Sequence, residues 1–159
     1  MITDIKNTEA LLALRKAGIS KTSQRVAVLD ILLKSTKPLS ANTIRQSLKT
    51  KARIDKVTVY RVLSVFKKSG IVREVASAGG ANYFEMVSRE KPIHPHFNCR
   101  NCGEFTCMET KLFQKMPELV FSKDNYSIER IEINVSGLCS DCSNTIKPEI
   151  SKRHYKKEA

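Results

Sequence analysis

Two cysteine doublets constrain this chain more than any other feature of its sequence. Cys99 and Cys102 form one C-x2-C motif, Cys139 and Cys142 form a second, and residues 103–138 lie between them. A spacing of two residues lets both thiolates of a tight turn face one point, and two such turns supply the four donors of a tetrahedral structural zinc site. The spacing therefore predicts a four-cysteine zinc site in the C-terminal part of the chain.

Two disulfides, or four unrelated buried cysteines, would use the same residues. Disulfides require an oxidising compartment, and residues 1–16 do not resemble a secretory signal. No apolar run approaches the length of a membrane-spanning helix. We therefore expect reduced, zinc-binding cysteines in a soluble cytoplasmic protein that has no membrane partner.

The positive charge of the chain is concentrated in its first half. The formal net charge is +12 over 159 residues. Residues 1–88 contain 16 Lys and Arg against 6 Asp and Glu, whereas residues 89–159 contain 12 against 10. Because Lys and Arg gain affinity for a polyanion by releasing its condensed counterions, the first half is the part expected to meet nucleic acid. A generic solvated basic surface is the alternative.

Hydrophobic periodicity divides residues 1–88 into helices followed by a hairpin. The predicted helices cover residues 8–16, 23–36, 41–48 and 56–69, and the predicted hairpin strands cover residues 71–75 and 81–87. Thr22 or Ser23, Ser40 and Asp55 are the expected N-caps. The residues expected to face inward are Ala10, Leu11, Leu14, Val26, Leu29, Ile31, Leu32, Leu33, Ala41, Ile44, Leu48, Val59, Val62, Leu63 and Phe66. Helices that end in a recognition helix and a hairpin predict a winged helix.

The fourth predicted helix carries the residues suited to DNA. Its outward face presents Lys56, Thr58, Tyr60 and Arg61. A helix with such a face, placed after a short helix and a tight turn, fits the major groove. The alternative is an ordinary amphipathic helix with a solvated basic face.

The residues beyond the hairpin predict a second, smaller unit. A polar connector covers residues 88–95, and strand–turn–strand, helix and strand patterns follow at 97–107, 111–121 and 127–135. A small α/β unit with open sheet edges is suited to dimerisation. We thus expect an α+β protein with a winged-helix DNA-binding domain at 1–88, a hinge at 89–96, a dimerisation and metal-binding domain at 97–146 and a charged tail at 147–159.

Several short motifs occur together in an order that resembles the ferric uptake regulator (Fur) superfamily. They are TVYRVL at 58–63, GIV at 70–72, YFE at 83–85, HPH at 94–96 and the two C-x2-C motifs, the first of which is followed by glycine. The match covers residues 11–142. The resemblance implies a cytoplasmic, dimeric bacterial transcription regulator that binds double-stranded operator DNA when a sensed metal or signal occupies a regulatory site.

The resemblance also implies roles for individual residues of the DNA-binding half. Tyr60 and Arg61 match the recognition-helix contacts to base and phosphate, and Arg25 matches an arginine at the start of the second helix. A lysine that enters the minor groove in many members aligns with Ser20, and Lys21 follows it by one position. A minor-groove contact from Lys21 is therefore an open expectation.

The implied regulatory site departs from the family pattern at two positions. Glu85, His94 and His96 match hinge-site ligands of the family. The family's further histidine before the third helix aligns with Pro38, and the carboxylate that follows the Cys-Gly step aligns with Cys107. The remaining donors are two nitrogens, one oxygen and one sulfur. An auxiliary site of many members is not expected, because its positions correspond to Pro95 and Ile131.

This donor set favours Zn2+ as the second, regulatory divalent metal over Fe2+ or Mn2+. Replacing a carboxylate by a thiolate softens the site, and a soft, mixed-donor tetrahedral site suits Zn2+. The pattern therefore resembles zinc uptake regulators more than iron regulators. It predicts a dimeric repressor of metal-homeostasis genes that binds palindromic operators. Softness alone also admits Co2+ or Cu+.

Other interpretations stay open at this point. The chain could be an iron-responsive or peroxide-responsive member of the family, and Cys107 could be a redox thiol or a small buried hydrophobic residue. Outside the family, His94, His96 and a cysteine could form a small zinc hydrolase or deaminase, or the chain could be a zinc-ribbon interaction module. Because the sequence lacks H-E-x2-H and H-x-E motifs, we expect neither an enzyme nor a small-molecule substrate beyond metal ions.

Overall fold

The computed structural model describes residues 2–48, 54–77, 80–87, 94–108 and 131–145. The helices in these ranges are α1 (Ile2–Lys16), α2 (Ser23–Lys34), α3 (Ala41–Leu48), α4 (Lys56–Lys68) and α5 (Ser140–Thr145). The strands are β1 (Leu39–Ser40), β2 (Val72–Ala76), β3 (Asn82–Met86), β4 (His96–Cys99), β5 (Phe105–Cys107) and β6 (Asn134–Gly137). None of the helices in these ranges is long and apolar enough to cross a bilayer.

Short polar caps start three of the helices, as the sequence predicts. Thr22, Ser40 and Asp55 each accept a hydrogen bond from the backbone N–H three residues later, at 3.2, 3.1 and 2.8 Å. Each bond satisfies one of the donors that a helix N-terminus leaves without an intrahelical partner. Gly18 and Gly70, with φ of +67° and +75°, follow α1 and α4 and turn the chain in a conformation that would strain other residues.

The first four helices enclose one hydrophobic core. Its buried residues are Ala10, Leu14, Val28, Leu29, Leu32, Ala41, Ile44, Leu48, Ile54, Val59, Val62, Leu63, Phe66, Val72 and Phe84. Partly buried at its margin are Val26, Ile31 and Leu33. The inward positions predicted for α3 and α4 are confirmed. Two others differ: Leu11, predicted to face inward, is 37% exposed, and Val28, absent from the predicted set, is buried because it lies one turn before the buried Leu32.

The wing of the fold is a hairpin that gains a third strand. β2 and β3 pair antiparallel, so that Arg73 lies opposite Glu85, and β1 pairs with the other edge of β3. β1 is absent from the sequence prediction because two residues are too few to show an alternating pattern. The strand order β1–β3–β2 ties the wing to the start of α3 and completes the winged helix.

A second three-stranded sheet follows the connector. β4 lies at its centre, antiparallel to β5 and parallel to β6. Of the strand predicted at 127–135, residues 127–130 lie outside the described residues, residues 131–133 are irregular, and β6 begins at Asn134. The pairing of β6 with β4 starts at Asn134 because β4 begins at His96, the residue that pairs with Asn134. The predicted helix at 111–121, the tail at 147–159 and residues 88–93 of the predicted connector also lie outside the described residues.

An aromatic stack joins the two sheets. The ring of Tyr83 on β3 stacks on the ring of Phe105 on β5, with the centroids 4.3 Å apart. The ring of His96 on β4 is nearly parallel to that of Phe105, at a centroid distance of 5.3 Å. Offset-stacked rings at such distances attract each other and bury apolar area. The wing strand therefore lies against the second sheet, and Glu85 lies two residues along that strand from Tyr83.

The buried face of α4 gives a prediction about stability. Phe66→Ala should lower the free energy of unfolding by about 3–5 kcal/mol, because it removes a fully buried ring from the core. Val57→Ala on the same helix should change it by less than about 0.5 kcal/mol, since the Val57 side chain is 58% exposed. Urea unfolding followed by circular dichroism measures both values. Equal effects of the two substitutions would contradict this packing.

Candidate metal centres and nucleic-acid interface

The two cysteine doublets converge on one point. The sulfur atoms of Cys99, Cys102, Cys139 and Cys142 all lie within 4.8 Å of one another, and those of Cys102 and Cys139 are 3.7 Å apart. Four sulfurs at about 2.3 Å from a central Zn2+ stand about 3.8 Å apart along each edge of the tetrahedron. The geometry thus fits a zinc ion held by four thiolates.

Local backbone structure holds the sulfurs in this arrangement. Gly103 closes the first turn with φ of +73°, and its N–H donates to the carbonyl of Cys99 at 2.9 Å. The second doublet leads into α5, and the N–H of Cys139 donates to Sγ of Cys99 at 3.3 Å. The side-chain amide of Asn101 donates to Sγ of Cys142 at 3.2 Å. Such donors orient thiolate ligands and stabilise their charge.

The four thiols differ as acids. Backbone N–H groups of Cys102 and Cys139 lower the pKa of Cys99 to about 6. The amide of Asn101 lowers the pKa of Cys142, but the Cys139 thiol and burial outweigh it, so that the pKa of Cys142 is raised. One thiolate disfavours the deprotonation of its neighbours because their negative charges repel. A divalent cation removes this repulsion, which is a second reason why the group suits zinc.

A second group of metal-binding side chains lies where the wing meets the second sheet. Donor atoms of Glu85, His94, His96 and Cys107 all lie within 4.8 Å of one another. Oε1 of Glu85 is 3.2 Å from Nε2 of His96, and Oε2 is 3.4 Å from both Nε2 of His94 and Sγ of Cys107. Tetrahedral zinc with such donors needs separations of about 3.3–3.6 Å, so these residues fit a metal ion. We call the four residues the N2OS cluster.

Strand register explains why these four residues meet. His96 and Cys107 are directly opposite each other on β4 and β5, so their side chains project from the same face of the sheet. His94 precedes His96 by two residues, and Glu85 comes from β3 across the aromatic stack. His96 is 4% exposed and the Glu85 side chain is 10% exposed, so the cluster is largely screened from bulk water.

A fifth side chain, Arg73 on β2, enters the cluster and was missed by the sequence reasoning. Its Nε donates to Oε1 of Glu85 at 2.5 Å, and its Nη2 is 2.8 Å from Nδ1 of His94. The register of the hairpin is the signal that could have indicated it, because residues directly opposite on one face of a sheet interact. A prediction of strand ranges alone does not specify that register.

The charges around Glu85 keep its carboxylate ionised. Burial raises the pKa of Glu85, but hydrogen bonds with His94 and His96 and the charge of Arg73 outweigh burial and hold that pKa well below its usual range. Glu85 is therefore an anion at neutral pH and is available as a ligand for a cation.

The position of the missing family ligand lies beside a cavity. Pro38, which aligns with that histidine, has no side-chain donor atom. The connection from α2 to β1 contributes Ser35, Thr36 and Lys37 to the lining of a cavity of about 360 Å³, and Arg73 lines it together with residues of the N2OS cluster. This side of the cluster thus presents two cationic side chains, those of Lys37 and Arg73.

The recognition helix α4 presents basic and aromatic side chains to solvent. Lys56, Tyr60 and Arg61 are exposed, and Nζ of Lys56 lies 5.8 Å from the centre of the Tyr60 ring. Thr58 is partly buried, and its hydroxyl donates to the carboxylate of Asp55 at 2.8 Å. Thr58 therefore supports the cap of α4 as well as lying on the predicted DNA face.

Arg25 and Lys21 differ in their surroundings. Nη1 of Arg25 donates to both the carbonyl and the hydroxyl oxygen of Ser20 at 2.6 Å. Lys21 is exposed. Because a guanidinium has five N–H donors, Arg25 can hold the turn before α2 and still donate to a phosphate.

Comparison with known proteins identifies the family. The model of the ferric uptake regulator family matches residues 16–136, which is more than half of the chain. The chain belongs to the ferric uptake regulator family. Members of this family are metal-responsive transcriptional regulators, and the resemblance drawn from the motifs is confirmed.

Individual relatives agree on the fold and differ in the signal for which they are named. The chain is 29% identical over 136 residues to the peroxide operon regulator of Bacillus subtilis (strain 168), covering 85% of this chain and 92% of that protein. The crystal structure of the Vibrio cholerae ferric uptake regulator is 27% identical, with a TM-score of 0.66 and coverage of 80% and 98%. A zinc uptake regulator complexed with zinc and DNA shares the fold at 19% identity, with a TM-score of 0.63 and coverage of 91% and 97%.

The cysteine group gives a prediction about folding. Cys142→Ser should unfold or monomerise the protein, because structural zinc sites contribute about 10–16 kcal/mol of binding free energy to folding. Cys107→Ser removes a thiol of the N2OS cluster and should leave the fold intact. Circular dichroism and the zinc content of the purified variants measure the difference. A folded Cys142→Ser protein with unchanged zinc content would contradict the assignment of the four cysteines to zinc.

Proposed function

We propose that this chain is a metal-dependent repressor that binds palindromic operator DNA as a homodimer and senses zinc. The observation that supports this most strongly is the N2OS cluster, because it joins the wing of the DNA-binding half to the sheet of the other half. The regulated genes would be those of metal homeostasis. A cytoplasmic location belongs to the same proposal, since four reduced thiolates require a reducing compartment.

The proposed domains follow the two sheets and their connection. We assign a winged-helix DNA-binding domain to residues 1–88, a hinge to 89–96, a dimerisation and metal-binding domain to 97–146 and a charged tail to 147–159. Among the residues that the structure describes, β5 and β6 are the outer strands of the second sheet. Outer strands carry backbone groups that can pair with a second copy of the chain, and this supports dimerisation through the second domain.

The proposed switch is a population shift between two arrangements of the domains. A bound divalent ion supplies the positive charge around which the four donors gather. Glu85 on the wing, His94 in the hinge, and His96 and Cys107 on the second sheet then hold the two domains in one arrangement. In a homodimer this sets the distance between the recognition helices, and half-sites about 34 Å apart select that distance. Coupling between two sites is typically about 1–3 kcal/mol.

The proposed DNA interface combines the start of α4 with the turn before α2. Its contacts come from Lys56, Thr58, Tyr60, Arg61, Arg25 and Lys21. Exposed Lys and Arg side chains supply the phosphate contacts that position the protein. The Tyr60 ring, which is 46% exposed, can contact the methyl group of a thymine in the major groove.

Zinc is the proposed signal because of the donor types in the cluster. Two imidazole nitrogens, one carboxylate and one thiolate match the ligands and the coordination number of tetrahedral Zn2+. Fe2+ and Mn2+ bind more weakly than Zn2+ to nitrogen and sulfur donors and prefer oxygen. The proximity of Cys107 to Glu85, at 3.4 Å from sulfur to oxygen, supports a thiolate ligand in the same shell.

A peroxide-responsive regulator is the second candidate. The Bacillus subtilis relative is named for a peroxide operon, and Cys107 places an oxidisable thiol inside the cluster. Oxidation of a cysteine thiolate to the sulfenic acid would remove one ligand and change the charge of the cluster.

An iron-responsive regulator would use the same four residues with Fe2+.

DNA selection and variants test the proposed function. Selection from a random duplex library with Zn2+ present should enrich an inverted repeat, because a homodimer presents two equivalent recognition helices. Arg61→Ala should then weaken binding of the selected duplex at least about tenfold and still bind two zinc ions per chain. Lys67→Ala, near the other end of α4 where Lys67 pairs with Glu74, is the control and should bind nearly as well as wild type.

His96→Ala and Cys107→Ser should show the opposite effect. Each should keep the zinc ion of the four cysteines and lose the zinc dependence of DNA binding, as measured by fluorescence anisotropy with the selected duplex. Unchanged zinc dependence in His96→Ala would contradict the site. Release of DNA from wild type by hydrogen peroxide, reversed by a thiol reductant, would favour the second candidate.

A further inference from the structure

We propose that Arg73 is an internal competitor for the N2OS cluster and thereby decides which metals the cluster accepts. This inference rests on the proposed function, because it concerns the same cluster. Its basis is the position of the guanidinium, which contacts donor atoms of two of the four proposed ligands, Glu85 and His94.

Nη2 of Arg73 lies beside the imidazole ring of His94, 2.8 Å from Nδ1 and 3.4 Å from Nε2. Nε of Arg73 donates to Oε1 of Glu85. Because the guanidinium remains protonated, a positive charge already lies against two of the groups that a metal ion needs.

A metal ion on His94 would meet this positive charge at either ring nitrogen. Because Nδ1 and Nε2 both lie within 3.4 Å of Nη2 of Arg73, a divalent ion bound to either nitrogen would lie close to the guanidinium cation. Arg73 must therefore move away from His94 when the metal binds.

Repulsion at Glu85 acts in the same direction. The Arg73 and Glu85 side chains are 25% and 10% exposed, so solvent screens a second cation at this carboxylate only weakly. The cavity of about 360 Å³ that Arg73 lines gives the guanidinium room to move beside Ser35, Thr36 and the cationic side chain of Lys37. Rotation of the side chain into the cavity leaves the β2–β3 ladder unchanged.

Displacement of Arg73 has a consequence for metal selectivity. The free energy of breaking its contacts is the same for every divalent ion, so it lowers all affinities by one factor. Zn2+ binds nitrogen and sulfur donors strongly enough to retain useful affinity. Mn2+ and Fe2+ bind nitrogen and sulfur donors more weakly than Zn2+ does. After the loss caused by Arg73, their affinity is too low for them to fill the cluster. Arg73 is thus not itself a ligand but sets the affinity that a metal ion must exceed in order to fill the cluster.

Metal titration of Arg73→Gln tests the inference, with Lys67→Gln as a charge-matched control. Lys67 pairs at 2.5 Å with Glu74, whose side chain points to the opposite face of β2 from that of its neighbour Arg73. We expect the second Zn2+ of Arg73→Gln to bind about 10- to 100-fold more tightly than that of wild type, and Mn2+ to fill the cluster. Lys67→Gln should stay within about twofold of wild type.

The variant Arg73→Lys separates the effect of the positive charge at this position from the effect of the planar guanidinium group. An ammonium group is a single point charge and cannot bridge Glu85 and His94 as the planar guanidinium does. Its second Zn2+ should bind with an affinity between those of wild type and Arg73→Gln. This variant also keeps the experiment decisive if Arg73→Gln does not fold, which circular dichroism will show.

The possible outcomes separate the inference from the proposed function. Two zinc ions in wild type, with equal or weaker binding in both Arg73 variants, would overturn the inference and leave the proposed function intact. One zinc ion in wild type and in both variants would overturn both. A second zinc ion that binds only in the variants would support the competition and contradict zinc sensing by wild type.

Discussion

The contact between the wing strand and the second sheet is the interaction on which the rest of this molecule depends. Tyr83 stacks on Phe105 at 4.3 Å, and this places Glu85 of the same strand next to His96 and Cys107. The N2OS cluster exists only because two sheets of different parts of the chain meet at this point. A change in the packing of the wing would therefore change the cluster, and in the proposed switch a cation bound in the cluster biases the position of the wing.

The two metal-binding groups differ in their balance of charge, and this explains why they suit different roles. Four thiols that lie within 4.8 Å of one another cannot all ionise without a cation, so the four-cysteine group suits a permanent structural ion. The N2OS cluster has an ionised carboxylate at its centre, and Arg73 already supplies it with a positive charge. A group whose charge is balanced by a side chain of the protein can exchange that side chain for a metal ion. A sensor requires a metal ion that binds and leaves reversibly, whereas a structural site requires a metal ion that stays bound.

The sequence was most informative where structure is determined locally. The C-x2-C spacing predicted the convergence of the cysteines, since the geometry of each turn depends on a few residues. The buried faces of α3 and α4 were predicted because their apolar residues follow the helical period closely. Leu11 was placed wrongly and Val28 was overlooked because neighbouring apolar residues on α1 and α2 leave the direction of the core ambiguous. β1 and Arg73 depend on strand pairing, which no local pattern contains.

The most direct test of the account is the DNA affinity of the protein before and after the second zinc ion binds. Protein treated with a chelator until one zinc ion per chain remains is titrated with Zn2+ in the presence of a labelled duplex obtained by selection. The account predicts background anisotropy at one zinc ion per chain and a rise that is complete at two. Full DNA binding at one zinc ion per chain, unchanged by the second, would contradict it.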